Sequence, residues 1–240
     1  MPVMLPMLFA LMTYNLNYAN PDPDSSMDAI ADADADVVLL QEITDAWKTR
    51  LEKRFAKQYP HRTFHAARAG GLAVLSKHAI RTDELFSPPS GGFFPAERLV
   101  VDSPLGDVQI LHVHLRPNVD KGNWVLGWQT TPPVRRREIE TYWKKLPTGT
   151  PTIVAGDFNE LPTGKAVEFL ADKGLARIAT KGPTTWHHVV EVGGKKVSAL
   201  SMDIDHVVVD NSFAARKAHV LDAGASDHRP VVVTLERASR

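Results

Sequence analysis

The 240-residue chain contains no cysteine, which excludes disulfides, thiolate zinc sites and cysteine nucleophiles together. Any metal it binds must be held by oxygen or imidazole ligands. It also lacks net charge: 28 Lys and Arg balance 28 Asp and Glu, so nothing in the total announces a polyanionic partner. Long apolar runs are missing as well. The apolar stretch from Met1 to Met12 has no basic region, is interrupted by Pro2 and Pro6, and is too short to span a bilayer. Its second half reads as the first strand. With no transmembrane segment and no secretion signal evident, the expectation is a cytoplasmic protein without an obligate protein partner. There is no internal repeat and no linker that forces two domains. The run Ser87-Pro88-Pro89-Ser90-Gly91-Gly92 is followed at once by Phe93 and Phe94, so it reads as a surface loop. At 43 % hydrophobic residues, residues 1–240 can bury one substantial core, and a single domain is expected.

Strand-like and helix-like segments are mixed without strict alternation. Strands are expected at Leu8 to Tyr14, DVVLLQE (36–42), GGLAVLSKHAI (70–80), RLVVD (98–102), DVQILHVHL (107–115), TIVA (152–155), KKVSAL (195–200), IDHVVVD (204–210), KAHVLD (217–222) and RPVVVTLE (229–236). SMDAIADADA (26–35) reads as a helix capped by Ser25. TDAWKTRLEKRFAKQY (44–59) reads as a helix opened by a Thr cap, with Trp47, Leu51, Phe55 and Tyr59 on one stripe. VRRREIETYWKKL (134–146) and GKAVEFLADKG (164–174) are two more, the latter stopped by Gly174. Several strand pairs look like hairpins, which favours a mixed-sheet α/β architecture over a barrel or a purely parallel fold.

The chemistry gathers where strands finish. LMTYNLN ends in Asn15 and Asn17, VVLLQE in Glu42, VQILHVHL in His114, and TIVAGDFN in Asp157 and Asn159. SDHRP places Asp227 and His228 just ahead of the final strand, and Asp205 sits where a buried strand begins. Each feature alone has a plain structural explanation. Gly, Asp and Asn are ordinary turn formers, and a buried carboxylate such as Asp205 needs only a partner, for which an imidazole would serve. If the ends share one rim, they assemble carboxylates, amides and imidazoles into one site.

The series TYNLN, LLQE, GGLAVLSKH, HVHL, AGDFN, DIDHVVV and GASDHRP runs in this order from about residue 8 to about residue 236. It resembles the endonuclease/exonuclease/phosphatase superfamily of magnesium-dependent phosphoesterases, and NPDPD and HVHLRP look closest to a poorly characterised bacterial branch. The resemblance implies an α/β fold, a four-layer α/β/β/α sandwich of two packed mixed β-sheets. It implies Mg²⁺ (or Mn²⁺) on Glu42, with Asn15 beside it and Asp227 assisting. Asn17 falls where many members carry an aspartate, and the neutral amide argues against a second tightly held ion. Asp157 matches the acid that aligns or deprotonates the attacking water, Asn159 the amide that holds the phosphate, and His228 the imidazole that contacts it. Asp205 matches the carboxylate that orients His228, and His114 a further imidazole of some branches.

The segment after His114, LRPNVDKGNWVLGWQTTPPVRRRE, carries Trp124 and Trp128 and adds Arg116, Lys121 and Arg135 to Arg137. It is expected to select substrate, with Arg116, Trp124 and Trp128 contacting it. The alternative is that the tryptophans simply pack the loop onto the domain. Six basic residues between Asp45 and Arg62 read as a solvated helix face or as a rim that attracts phosphate. Three functions follow: a metal-dependent phosphodiesterase acting on nucleic acid, a hydrolase of small or lipid-like phosphoesters, and a non-catalytic binding module on the same fold.

Overall fold

The computed structural model describes residues 7–192 and 195–239, and side chains outside 190–198. The first half of the apolar N-terminal stretch, residues 1–6, lies outside the described residues. In chain order the first elements are β1 (Phe9–Asn15), α1 (Pro23–Ala33), β2 (Val37–Gln41), α2 (Asp45–Phe55), β3 (His61–His65), β4 (Leu72–Ser76) and β5 (Ile80–Phe86). Then come β6 (Ala96–Ser103), β7 (Gly106–His114), α3 (Trp124–Thr130), α4 (Pro132–Trp143), β8 (Thr152–Asp157), α5 (Lys165–Asp172) and β9 (Ala176–Arg177). The last are β10 (Trp186–Val192), β11 (Lys195–Met202), β12 (Asp205–Val209), β13 (Phe213–Val220) and β14 (Val231–Arg237).

Two six-stranded sheets form, in the orders β13-β14-β1-β2-β4-β3 and β5-β6-β7-β8-β12-β9, while β10 and β11 make a separate hairpin. Both sheets are mixed: β1 with β2 and β7 with β8 are parallel, and the other pairs are antiparallel. Alternation along the central strands explains the layering. Phe9, Leu11, Val37 and Leu39 pack with Leu99, Val108, Ile110, Ile153 and Val207 of the facing sheet. Their neighbours Met12, Tyr14, Val38 and Leu40 point the other way, onto Met27, Ile30, Trp47, Leu51 and Phe55 of α1 and α2. Leu111, Val113, Val154 and Val208 meet α4 and α5 through Ile139, Tyr142, Ala166 and Leu170. The result is a four-layer α/β/β/α sandwich, and strands buried on both faces read as continuous apolar runs.

The stripe on α2 is core throughout: Trp47, Leu51 and Phe55 are buried on the helix and Tyr59 just beyond it. Each such side chain contributes about 1.5–3 kcal/mol by leaving water. Thr44 caps that helix by accepting from the Trp47 N–H. α1 differs from expectation. Its cap is Asp22, whose side chain accepts from the Ser25 N–H, and Pro23 opens the helix because its fixed φ and missing donor suit that position. The strands β3 and β5, absent from the sequence reading, are edge strands with half-exposed, polar sequences. The short helix α3 lies inside the segment read as an open loop; a Cβ on Gly127 would meet the Asn118 carbonyl oxygen at 2.3 Å, so only glycine permits that approach. Among the described residues no helix is long and apolar enough to cross a membrane.

Candidate active site

The sheet directions bring the strand ends to one rim. β1 and β2 run parallel with Asn15 opposite Gln41, and β7 and β8 run parallel with His114 opposite Asp157. β12 is antiparallel to β8 and begins with Asp205 opposite Asp157. β14 is antiparallel to β1, with Val231 opposite Thr13, so the residues ahead of it fall beside the end of β1. The Ser226 hydroxyl fixes that approach by donating to the Asn15 carbonyl at 2.7 Å.

Asn15 joins the two sheets, since its Nδ2 donates to Glu42 Oε1 at 3.2 Å and to Asp157 Oδ2 at 3.1 Å. Its own oxygen accepts the Asn17 N–H. Glu42 Oε2 accepts the Tyr18 N–H at 2.9 Å. Asn17 Nδ2 donates to Asp227 Oδ1 at 2.8 Å. Asp157 receives the Asn159 N–H on Oδ1 at 2.8 Å, and its Oδ2 lies 3.5 Å from His114 Nε2 and 3.7 Å from His228 Nε2. His228 Nδ1 stands 2.9 Å from Asp205 Oδ2. Asn159 spends one amide proton on the Leu115 carbonyl at 3.0 Å. Glu42, Asn15, Asp157, His228 and Asp205 therefore form a continuous polar chain from one sheet to the other.

Backbone strain concentrates here. Of five described non-glycine residues with positive φ, three are Asn17 (58°), Glu42 (63°) and Asn159 (52°). Asn tolerates that region through local bonding, whereas Glu42 adopts it at a cost of order 1–3 kcal/mol that its surroundings must offset. Gly156 has φ 144°, and a Cβ there would lie 1.9 Å from the Val113 carbonyl oxygen, so the residue ahead of Asp157 must be glycine.

Electrostatics divides the titratable groups. Burial depresses His228, but the charges of Asp205 and Asp157 prevail and raise it to about 10, so it is an imidazolium at neutral pH. Burial raises Asp157 to about 7 against the opposing pull of His228. Burial, with the nearby His228 charge, drives His114 down to about 3, leaving a neutral ring. Glu42 is raised by burial. Asp227 is lowered even though burial works the other way, because the charge of His228 and the donors Asn17 and Trp186 hold it ionised.

The sequence profile of the Endonuclease/Exonuclease/phosphatase family matches residues 12–228, a span that contains every side chain of this chain of contacts. The protein belongs to the Endonuclease/Exonuclease/phosphatase family. Members of the family are hydrolases that act on phosphoesters. No curated protein matches the chain. Among solved structures, an endonuclease/exonuclease/phosphatase from Beutenbergia cavernae DSM 12333 is similar, at 21 % identity and TM-score 0.71 over 97 % of this chain and 72 % of that one. Sphingomyelinase C from Streptomyces griseocarneus aligns at 19 % identity and TM-score 0.71 over 97 % and 99 % of the two chains. TDP2 of D. rerio, in complex with a single-strand DNA product, aligns at 14 % identity and TM-score 0.72 over 95 % and 99 %. At these identities the likeness is one of fold.

This rim of strand ends opens into a cleft of about 500 Å³. Asn17, Glu42, His114, Asp157, Asn159 and His228 line it, with Asp227 beside them. Asn15 and Asp205 stand behind that wall. Trp124, 51 % exposed, forms part of the mouth, whereas Trp128 is half-buried on the same helix and is not among the lining side chains. Arg116 is turned away: its Nη1 donates to the Gly91 carbonyl at 2.7 Å and its guanidinium lies 3.3 Å over the Phe93 ring. Arg135 is buried and bonds Glu160, Asn118 and Thr131. On the basic face of α2, Arg50 and Arg54 are paired with Asp24 and Asp28.

Three of the cleft residues that sequence reasoning missed make specific contacts. Trp186 donates Nε1–H to Asp227 Oδ2 at 3.0 Å and stacks on Trp124 with ring centres 6.1 Å apart. Phe94 stacks on His114 at 4.1 Å. Asn118 donates to the Asn159 carbonyl at 2.8 Å. The available signals were Trp186 opening the alternating segment WHHVVEV and the Phe pair that ends the Pro/Gly loop. Metal fit can be judged from the donors themselves. Glu42 and Asp227 are carboxylates facing a cleft whose lining includes no Lys or Arg among the described residues, and amide and carboxylate oxygens suit a hard divalent cation.

Proposed function

We propose that the protein is a divalent-metal-dependent phosphodiesterase that hydrolyses a P–O bond by attack of water, with residues 1–240 acting as one catalytic domain. The observation that carries the reading is the polar chain Glu42–Asn15–Asp157–His228–Asp205, whose Glu42, Asp157 and His228 line the cleft while Asn15 and Asp205 brace them from behind. Mg²⁺ or Mn²⁺ held by Glu42 and Asp227, with Asn15 and Asn17 alongside, would neutralise charge on the phosphate oxygens. Asp157, held by Asn15 and the Asn159 N–H, aligns the attacking water and takes its proton as the new P–O bond forms and the ester bond breaks. His228, kept protonated by Asp205, donates Nε2–H to a phosphate oxygen where charge accumulates. His114 and the remaining amide proton of Asn159 donate to the same group.

With Arg116 and Arg135 bonded to protein groups and no Lys or Arg among the described lining of the cleft, the aromatic mouth is the contact for the rest of the substrate. That favours a compact phosphodiester bearing an apolar or aromatic group. A nucleic-acid substrate is the second reading, favoured by the stacked Trp124 and Trp186, whose faces suit a base. The deciding experiment measures cleavage of bis-p-nitrophenyl phosphate and plasmid nicking with Mg²⁺ or Mn²⁺, before and after EDTA. Ester cleavage abolished by EDTA and restored by metal is expected; nicking that weakens steeply with salt would select the second reading. Silence in both assays would leave a non-catalytic module.

A further inference from the structure

Away from the cleft, His65 Nε2, a carboxylate oxygen of Asp83 and a carboxylate oxygen of Glu97 lie within 4.8 Å of one another. They come from both sheets, His65 from β3 and the two acids from β5 and β6. Strand register explains the meeting. Leu85 pairs with Glu97, so Asp83, two residues earlier on β5, shares that face and sits diagonal to Glu97. Thr63 and His65 share a face of β3, and the Thr63 hydroxyl donates to Glu97 Oε1 at 2.6 Å. His65 Nε2 stands 2.8 Å from Asp83 Oδ1 and 3.5 Å from Glu97 Oε1.

These separations suit coordination. Donors bound about 2.0–2.1 Å from a tetrahedral zinc ion stand roughly 3.3 Å apart, between the two distances observed. The surroundings match as well. Glu97 is fully buried, and its other oxygen lies 3.1 Å from Nδ1 of His112, its direct cross-strand partner. Gln41 donates Nε2–H to His112 Nε2 at 2.7 Å, which leaves Nδ1–H to brace the carboxylate, the kind of support that orients metal ligands. The side chains of His65 and Asp83 are 26 % and 32 % exposed, so an ion has a path in and a free position for water. Protonated His65 supplies one positive charge against two carboxylates, whereas a divalent ion supplies two and leaves the imidazole neutral.

We propose that His65, Asp83 and Glu97 form a structural site for a divalent transition ion of the zinc type, tying β3 of the first sheet to β5 and β6 of the second. No cleft residue takes part, so the site stands or falls independently of the phosphodiesterase reading. The test dialyses full-length wild-type, Glu42→Gln, Glu42→Gln/His65→Ala and Glu42→Gln/Asp83→Asn proteins against ZnCl₂. Bound zinc is then counted by mass spectrometry and Tm is recorded. Glu42→Gln, which removes a cleft ligand, should retain one zinc per chain and both double variants should lose it. Free zinc at about 100 times Kd should raise Tm by about 5 °C in Glu42→Gln and leave the double variants unmoved. Far-UV circular dichroism checks folding, and the isosteric Asp83→Asn substitution at a partly exposed position keeps the test valid if His65→Ala fails to fold. Zinc content insensitive to both substitutions, or no zinc in Glu42→Gln, overturns the site.

Discussion

The cleft cluster of Asp157, Asp205 and His228 and the edge cluster of His65, Asp83 and Glu97 use the same ingredients, two acids and an imidazole with donor atoms within 4.8 Å. They differ in where they sit on their strands. Asp83 and Glu97 lie within the β5–β6 ladder and His65 closes β3 opposite Leu72, so strand pairing fixes each direction, and Thr63 and His112 add support to Glu97. The cleft residues lie at strand ends, where the backbone can take left-handed turns at Asn17, Glu42 and Asn159 and aim groups into open space. Composition alone therefore does not separate the two clusters. The left-handed turns beside the cleft, its aromatic walls and its unmatched atoms do. His114 illustrates the last point, with a buried Nδ1 that has no hydrogen-bond partner among the described residues.

The contrast breaks first on activity. Asp157→Ala and His228→Ala should each lower kcat/KM on bis-p-nitrophenyl phosphate by about 10³-fold while the protein stays folded, and His65→Ala should leave it within about twofold. Near wild-type turnover in either cleft variant, or an equal loss in His65→Ala, would erase the distinction. A smaller effect tests the mouth. Trp124→Ala should raise KM about tenfold with kcat little changed, and Trp128→Ala, outside the lining, should move KM by less than about twofold. Equal KM values for the two would put recognition elsewhere.

The smallest effect concerns His206, whose neighbour Asp205 stands behind the cleft wall against His228. His206 donates Nε2–H to the Glu160 carbonyl at 2.8 Å and packs on Phe158, and burial lowers it to about 4 from an ordinary 6.5. The unfolded chain therefore takes up this proton first. Stability is intact above about pH 6.5 and declines as pH falls towards about 4, with a slope of at most about 1.4 kcal/mol per pH unit. His206→Gln, which keeps a donor, should flatten that slope in urea titrations at several pH values. An unchanged slope would assign the acid sensitivity to other groups.

Much of this was legible beforehand because two-sided burial writes continuous apolar runs, and the abrupt polar ends of β1, β7 and β8 named the rim. The four layers followed from the family resemblance, and Phe9, Val38 and Leu111 show their physical basis in alternate faces packed to different layers. What escaped was written in weaker code. β3 and β5 are edge strands whose polar faces carry little periodic signal, and α3 spans seven residues held by Asn123 and the close approach at Gly127. Trp186 could not be tied to Asp227 because the two are 41 residues apart and meet only through the β14 approach. Likewise, the Arg135 charge looked available in sequence. Only tertiary packing reveals that Glu160 and Asn118 occupy it.

The pairing of Asp205 with Asp157 across β12 and β8 carries a wider consequence. Side chains alternate faces along a strand, so a slip of one residue between these two would turn Asp205 outward and strip His228 of its counter-ion. Such a misregistered form would retain its helices and most of its greasy interior while losing the polar chain that joins the sheets. Faithful alignment of a single ladder is thus a condition of the contact between His228 and Asp205, and spectra of secondary structure would not reveal its loss.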